Sequence, residues 1–278
     1  MWLGVEQPGP WGARVITVPG ASHLPEQVRA QLEQCNGLPG ATAVMLRRPG
    51  PHHRAEAPRE VLLASVVPGR RWLQRVRCPD AAALGELDLT AAVTAALHGE
   101  PPAWGEEVAG PVVLVCTNGQ RDRCCALRGR PAALELAGLA PGSVWETSHL
   151  GGHRFSPTVL ALPLGAVYGG HADTTLPDLL RRLRNDELPV TNLRGLTALS
   201  SEQQVADIHV RVRDAVVDPD GVWVGAVETD GLDSCLVEVT GASGREVVRI
   251  HRTAGADRPE SCDGPPVESH VLDVFTDG

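Results

Sequence analysis

The sequence predicts an α/β protein in three successive segments, and three observations carry that expectation. Strand-like apolar runs alternate with helix-like stretches from residue 13 to residue 214. The continuous apolar run Pro111-Val112-Val113-Leu114-Val115-Cys116 has the composition of a central strand buried on both faces. The break Gly99-Glu100-Pro101-Pro102 separates an earlier α/β unit from a later one. The expected layout is a smaller N-terminal α/β domain over 1–105, a second α/β domain over 106–215, and a β-rich C-terminal extension over 216–278.

In the first unit, an apolar run at Ala13–Val18 precedes a helix-like stretch, His23–Gln34. Strands are expected at Ala41–Leu46, Glu60–Val67 and Trp72–Arg77, with an exposed turn at Pro49-Gly50-Pro51-His52-His53. A helix follows over Asp88–His98. In the second unit the strand ending at Cys116 runs into a polar loop, Thr117–Arg123, and then Cys124-Cys125. A short helix is placed from Pro131 to Leu139, since proline fits a first helical turn, where its missing N–H would be unpaired anyway. Val144–Thr147 reads as a strand leading into His149-Leu150-Gly151-Gly152-His153. Thr158–Leu162 and Ala166–Tyr168 form a hairpin closed by Pro163-Leu164-Gly165, and helices follow at Leu176–Leu183 and Ser201–Asp214. The tail carries strand-like segments at Val222–Val227, Leu236–Val239 and Val247–His251. No internal repeat is visible in the sequence.

The composition, 42% hydrophobic and 21% charged over 278 residues, is that of a globular chain able to bury a real core. No apolar run approaches the roughly 18 residues needed to cross a bilayer, and Met1–Glu6 lacks a basic n-region and a long apolar segment. The expected location is therefore cytoplasmic, with no membrane partner. All 25 basic residues are arginines, so a phosphate loop built on lysine and Schiff-base chemistry are both excluded. The net charge of −9 argues against nucleic acid as a partner.

Seven dispersed cysteines do not suggest a disulfide framework, but three of them, Cys116, Cys124 and Cys125, crowd into ten residues. Cys116 ends a buried strand and Cys125 follows after eight intervening residues, the strand–loop–helix position where thioredoxin-like folds place reactive or metal-binding sulfurs. His149 and His153 are four apart. Two interior glycines would each cost a helix about 1 kcal/mol, so the pair belongs on a loop. Two thiolates and two imidazoles suit either a structural zinc ion or a [2Fe–2S] cluster. Zinc cysteines are usually separated by two to four residues, and the longer gap suits a wider binuclear centre. Taken singly, Cys116 reads as a small hydrophobe and the histidines as structural residues. Cys35, Cys78, Cys235 and Cys262 read as core or surface thiols. Cys124 reads as a bystander, Tyr168 and Phe155 as packing residues, and Arg121, Asp122 and Arg154 as ordinary solvated surface or as groups tuning the site.

Cys116-Thr117-Asn118-Gly119-Gln120-Arg121-Asp122-Arg123-Cys124-Cys125 followed by His149-Leu150-Gly151-Gly152-His153 resembles the sucrase/ferredoxin-like family, with its C-x8-C…H-x-G-G-H motif. Glu6-Gln7-Pro8-Gly9-Pro10-Trp11-Gly12 and Arg128-Gly129-Arg130-Pro131 are similar to the bacterial branch of that family, so the likeness runs from about Glu6 to about Asp207. The resemblance implies a thioredoxin-like ferredoxin domain over 106–215 and a [2Fe–2S] cluster on Cys116, Cys125, His149 and His153. Cys124, with a seven-residue gap from Cys116, is the competing second thiolate.

Two thiolates and two neutral imidazoles give the oxidised cluster no net charge, whereas four thiolates give −2, so the potential is expected above that of plant-type ferredoxins. The second ring N–H of each histidine can titrate, which couples reduction to proton uptake. The expected role is electron transfer between donor and acceptor proteins that the sequence does not name. A thiol–disulfide oxidoreductase on Cys124 or Cys125 and a zinc-stabilised binding module are the rivals. No spacing singles out the carboxylate pair of a glycoside hydrolase, so a redox carrier is expected rather than a sucrose-cleaving enzyme.

Overall fold

The computed structural model describes residues 1–50, 58–103, 105–170 and 175–275, so the expected His52-His53 turn lies outside the described residues. Among the described residues two sheets form, one of ten strands and one of four.

Strand β1 (Trp2–Glu6) leads through helix α1 (Glu26–Gly37) to the parallel strand β2 (Thr42–Arg47). Strands β3 (Arg59–Ser65) and β4 (Trp72–Cys78) then add antiparallel beside β1. The short helices α2 (Ala81–Gly85) and α3 (Leu89–Leu97) are capped by Asp80 and Asp88, whose carboxylates accept the free N–H groups of each first turn. A two-residue strand, β5 (Glu106–Glu107), closes that edge.

The second unit repeats this plan. Strand β6 (Val112–Cys116) leads through helix α4 (Arg123–Leu139) to the parallel strand β7 (Val144–Thr147), and β8 (Val159–Leu162) and β9 (Ala166–Tyr168) follow antiparallel on the far side of β6. Helix α5 (Leu176–Arg184) and edge strand β10 (Leu193–Leu196) complete it. The order β2-β1-β3-β4 in the first unit thus matches β7-β6-β8-β9 in the second, a repeat of topology that the sequence does not display. Strand pairing and crossover constrain topology far more tightly than they constrain residue identity. The units join edge to edge where β2 pairs antiparallel with β7, Leu46 opposite Thr147 and Arg47 opposite Glu146.

Alternate residues of each strand face opposite sides. One side of each half packs its own helices: Leu3, Val5, Met45 and Leu63 against α1 and α3, and Val113, Val115 and Val159 against α4 and α5. The other side is shared. Trp2, Val44, Leu46 and Leu62 meet Leu114, Trp145, Leu160 and Leu162 in one cluster, so the sheet curls on itself.

Helix α6 (Ser201–Asp214) opens with a capping box between Ser200 and Gln203 and packs Ala206 and Val210 on the second sheet, against Val237, Val239, Val248 and Ile250. That sheet is an antiparallel meander of β11 (Trp223–Thr229), β12 (Ser234–Gly241), β13 (Gly244–Pro259) and β14 (Pro266–Val274). The connection between β13 and β14 carries Cys262.

One local expectation needs correction. Helix α4 starts at Arg123, and Pro131 sits inside it. Cys124 and Cys125 therefore occupy the first helical turn instead of preceding the helix. Proline removes one N–H from an interior turn, and Ala132, Ala133 and Leu136, buried against β6 and β7, offset that loss. Among the described residues, no helix is long and apolar enough to cross a membrane.

Candidate metal centre

The site forms where β6 ends, α4 begins and the loop after β7 turns back. Cys116 is the last residue of β6, and Cys125 lies on the inward face of the first turn of α4; both are buried. Gly129, one turn further along α4, lets the helix lie directly on the Cys116 carbonyl. Gly151 and Gly152 adopt φ values of +83° and +62°, left-handed conformations that glycine enters without Cβ strain, so the His149–His153 segment is the tight loop its sequence predicts. His153 then begins a short 3-10 turn, His153–Phe155.

Ligand atoms of Cys116, Cys125 and His149 all lie within 4.8 Å of one another. His153 falls into a neighbouring group with Cys124 and Cys262, mutually within the same limit. The four sequence-predicted donors are thus split three and one between two adjacent groups. Cys125, not Cys124, shares the inner group with Cys116.

Asp122 links the two groups. It is 1% exposed, and its carboxylate oxygens stand 3.6 Å from His149 Nδ1 and 3.9 Å from His153 Nδ1. Asp122 Oδ1 also accepts the Cys262 N–H at 2.7 Å. Asp122 Oδ2 and His149 Nδ1 are buried without a hydrogen-bond partner, yet they face each other across that 3.6 Å gap. Buried polar atoms are rarely left unpaired, and a carboxylate beside one nitrogen of a metal-binding histidine is a recurring supporting arrangement.

The thiols differ electrostatically. The neighbouring Cys125 thiol hydrogen-bonds the Cys116 thiolate, and His149 adds a second favourable contact, so Cys116 is pulled well down despite its burial. Cys125 is pushed up by that same thiolate and by burial. Burial, followed by Cys262, pushes Cys124 up to about 11. The protein alone therefore favours one thiolate in the inner pair, and ionising the second calls for a cation in place of the proton.

Further support comes from the N-terminal unit. Arg47 pairs with Glu146 at 2.6 Å, both side chains buried, and Glu146 also accepts the hydroxyl of Thr117, the residue after Cys116, at 2.7 Å. The Arg47 guanidinium stacks on Trp11, 4.2 Å from the ring centre, while Asn118 donates to the Gly12 carbonyl at 3.1 Å. The Glu6–Gly12 segment thus braces the loop that follows Cys116.

One participant was not legible in the sequence: Cys262 is far along the chain with no ligand spacing to mark it. Asp122, between two arginines, reads from the sequence either as solvated surface or as a group tuning the site, and the structure buries it. Cys35 and Cys78 are core residues, as expected.

No curated protein and no solved structure matches the chain. A family model described as sucrase/ferredoxin-like matches residues 2–252, which covers both α/β units and much of the second sheet. By that match, the chain belongs to the sucrase/ferredoxin-like family.

Proposed function

We propose that the chain is an electron-transfer protein holding a [2Fe–2S] cluster on Cys116, Cys125, His149 and His153. The observation that carries this reading is an inner group of two buried thiols and a half-buried imidazole, with a second imidazole in the adjoining group and one buried carboxylate, Asp122, facing both rings. Thiolate with imidazole is a donor chemistry shared by zinc and iron–sulfur centres. Distribution of the four donors over two adjacent groups favours a binuclear occupant over one ion. When bound, such a cluster supplies one-electron transfer.

The chain's own residues would orient and insulate the site. Asp122 would hold the His149 Nδ1–H and fix which ring nitrogen is free to ligate. The Arg47–Glu146–Thr117 set would fix the strand end, and the buried shelf of β6 and α4 would exclude water from the sulfurs. His149, with 27% of its side chain exposed, is the more accessible imidazole, and we place the approach of donor and acceptor proteins there. The unit β6–α4–β7 followed by β8–β9 and α5 supports a thioredoxin-like ferredoxin domain.

Anaerobic purification with iron, sulfide and zinc analysis tests the reading. About two irons and two sulfides per chain, with visible absorption, are expected. Stoichiometric zinc on a colourless protein after cluster-preserving purification would transfer the assignment to a zinc-stabilised module.

A further inference from the structure

We infer that Cys124, His153 and Cys262 form a second, outer metal site, which takes one soft divalent ion such as zinc in the cluster-free chain. Cys262 lies beyond the family-matched residues 2–252, on the connection between β13 and β14. The site therefore requires the C-terminal sheet, and the inference goes beyond the cluster reading.

The geometry approaches that of a face of a coordination tetrahedron, with the sulfur pair drawn closer than the two sulfur–nitrogen edges. Cys124 Sγ to Cys262 Sγ is 3.2 Å, Cys262 Sγ to His153 Nδ1 is 3.5 Å, and Cys124 Sγ to His153 Nδ1 is 3.7 Å. Zinc bonds of about 2.3 Å to sulfur and about 2.0 Å to nitrogen, at tetrahedral angles, place such donors roughly 3.5–3.8 Å apart. A disulfide would need the sulfurs at about 2.05 Å and would leave the near-equidistant imidazole unexplained.

The histidine is also set for the task. His153 Nε2 lies 3.2 Å from the Pro259 carbonyl oxygen. A carbonyl has no proton to offer, so the hydrogen bond requires the proton on Nε2, and in the neutral ring that leaves the Nδ1 lone pair facing the two sulfurs. Backbone carbonyls hold metal-binding histidines in this way. Pro259 ends β13 and Cys262 follows on the connection to β14, so one short segment supplies both a donor and the group that orients another. Asp122 Oδ1 pins that segment by accepting the Cys262 N–H.

Binding releases the two thiol protons to solvent and involves no redox change. Soft thiolate donors with one imidazole select zinc over magnesium or calcium. Cys262 is exposed, which leaves the fourth position open to water. Because His153 serves both donor sets, the outer ion and the bis-histidine cluster are alternatives for that ring.

Cobalt titration of the full-length, metal-stripped chain under reducing conditions tests the site. A Cys116→Ser background deprives the inner group of a thiolate. The expected result is one cobalt per chain with tetrahedral absorption and a two-thiolate charge-transfer band. Adding Cys262→Ser should halve that band and weaken affinity at least about tenfold. Should the Cys116→Ser chain fail to fold, Cys262→Ser in the wild-type background should remove one thiolate's share of the total band. Cobalt titrations indistinguishable with and without Cys262 would overturn the inference, as would loss of cluster iron from anaerobically purified Cys262→Ser protein. A wild-type chain lacking iron and sulfide would instead defeat the cluster reading and leave the cobalt comparison standing.

Discussion

Gly129→Ala is the substitution that most directly tests whether packing of α4 positions Cys116. A Cβ at Gly129 would fall 2.1 Å from the Cys116 carbonyl oxygen and 3.2 Å from its carbon, with Thr117 Cγ2 at 3.4 Å. Carbon–oxygen contacts settle near 3.3 Å, so helix and strand end must separate by roughly 1 Å. The obstacle is backbone, which cannot swing aside, so the overpacking cost belongs at the upper end of the usual range, about 3 kcal/mol. Alanine recovers about 1 kcal/mol of helix propensity, leaving a net loss near 2 kcal/mol. Gly138, in the last turn of the same helix, is the control, because its Cβ would meet nothing within 4 Å. Gly138→Ala should gain up to about 1 kcal/mol. For a chain of this size the melting temperature should fall about 4–8 °C for Gly129→Ala and rise about 2–4 °C for Gly138→Ala. Only the first should lower metal content, through displaced Cys116. Thermal unfolding followed by circular dichroism, with metal analysis of both proteins, measures this. Equal shifts in the same direction with unchanged metal content would refute the packing argument.

Three further outcomes are expected. Cys116→Ser or Cys125→Ser should abolish the visible spectrum and most of the iron, because a hard alkoxide replaces thiolate poorly, whereas Cys124→Ser should leave both nearly intact in the anaerobic protein; the reverse pattern for Cys124 and Cys125 would exchange their roles. Arg47→Met should cost about 3–5 kcal/mol in denaturant unfolding by leaving Glu146 charged and buried, and Arg47→Met with Glu146→Leu should recover much of that loss; an additive double variant would contradict the pairing. Redox titrations from neutral to alkaline pH should show the potential falling as pH rises, ideally by about 59 mV per unit for one proton per electron, and His149→Cys or His153→Cys should lower the potential by adding thiolate charge; a flat wild-type profile with the cluster intact would rule out proton coupling through these rings.

The sequence exposed most strongly the elements whose local chemistry agrees with their tertiary setting. The run Val112–Cys116 is buried throughout, and Ser200 with Gln203 marks the start of α6 by the capping bonds the structure contains. The glycine pair between the histidines announced its loop because no other residue enters that backbone region so freely. Strand β1 escaped notice because Trp2–Glu6 is short and its burial comes from β2, β3 and the shared core. Strand β14 is mostly exposed and interrupts its valines with Glu268, Ser269, His270 and Asp273, so no regular apolar alternation marks it, and it is held by backbone pairing to β13. Pro131 hid the first two turns of α4. The outer donor group was invisible because it depends on where a distant sheet connection lands.

The repeated topology explains why the N-terminal unit bears on a site to which none of its described residues gives a metal donor. Both units share one strand plan, and the strand ends that correspond are Glu6 on β1 and Cys116 on β6. Only the second unit carries sulfur there. In the first, Glu6 accepts the Glu60 N–H at 3.0 Å, and Gln7 continues the pairing by donating its N–H to the Leu46 carbonyl at 2.8 Å. The first bond ties the end of β1 to β3, and the second extends β1 along β2 towards the seam with β7. At the seam, Arg47 lies opposite Glu146, and their ion pair reaches the Thr117 hydroxyl. Trp11 then covers the guanidinium from outside. A buried charge so enclosed cannot move without uncovering its partner, which makes the seam stiff where Cys116 must stay in place. The strand end without sulfur thus fixes the position of the one that has it.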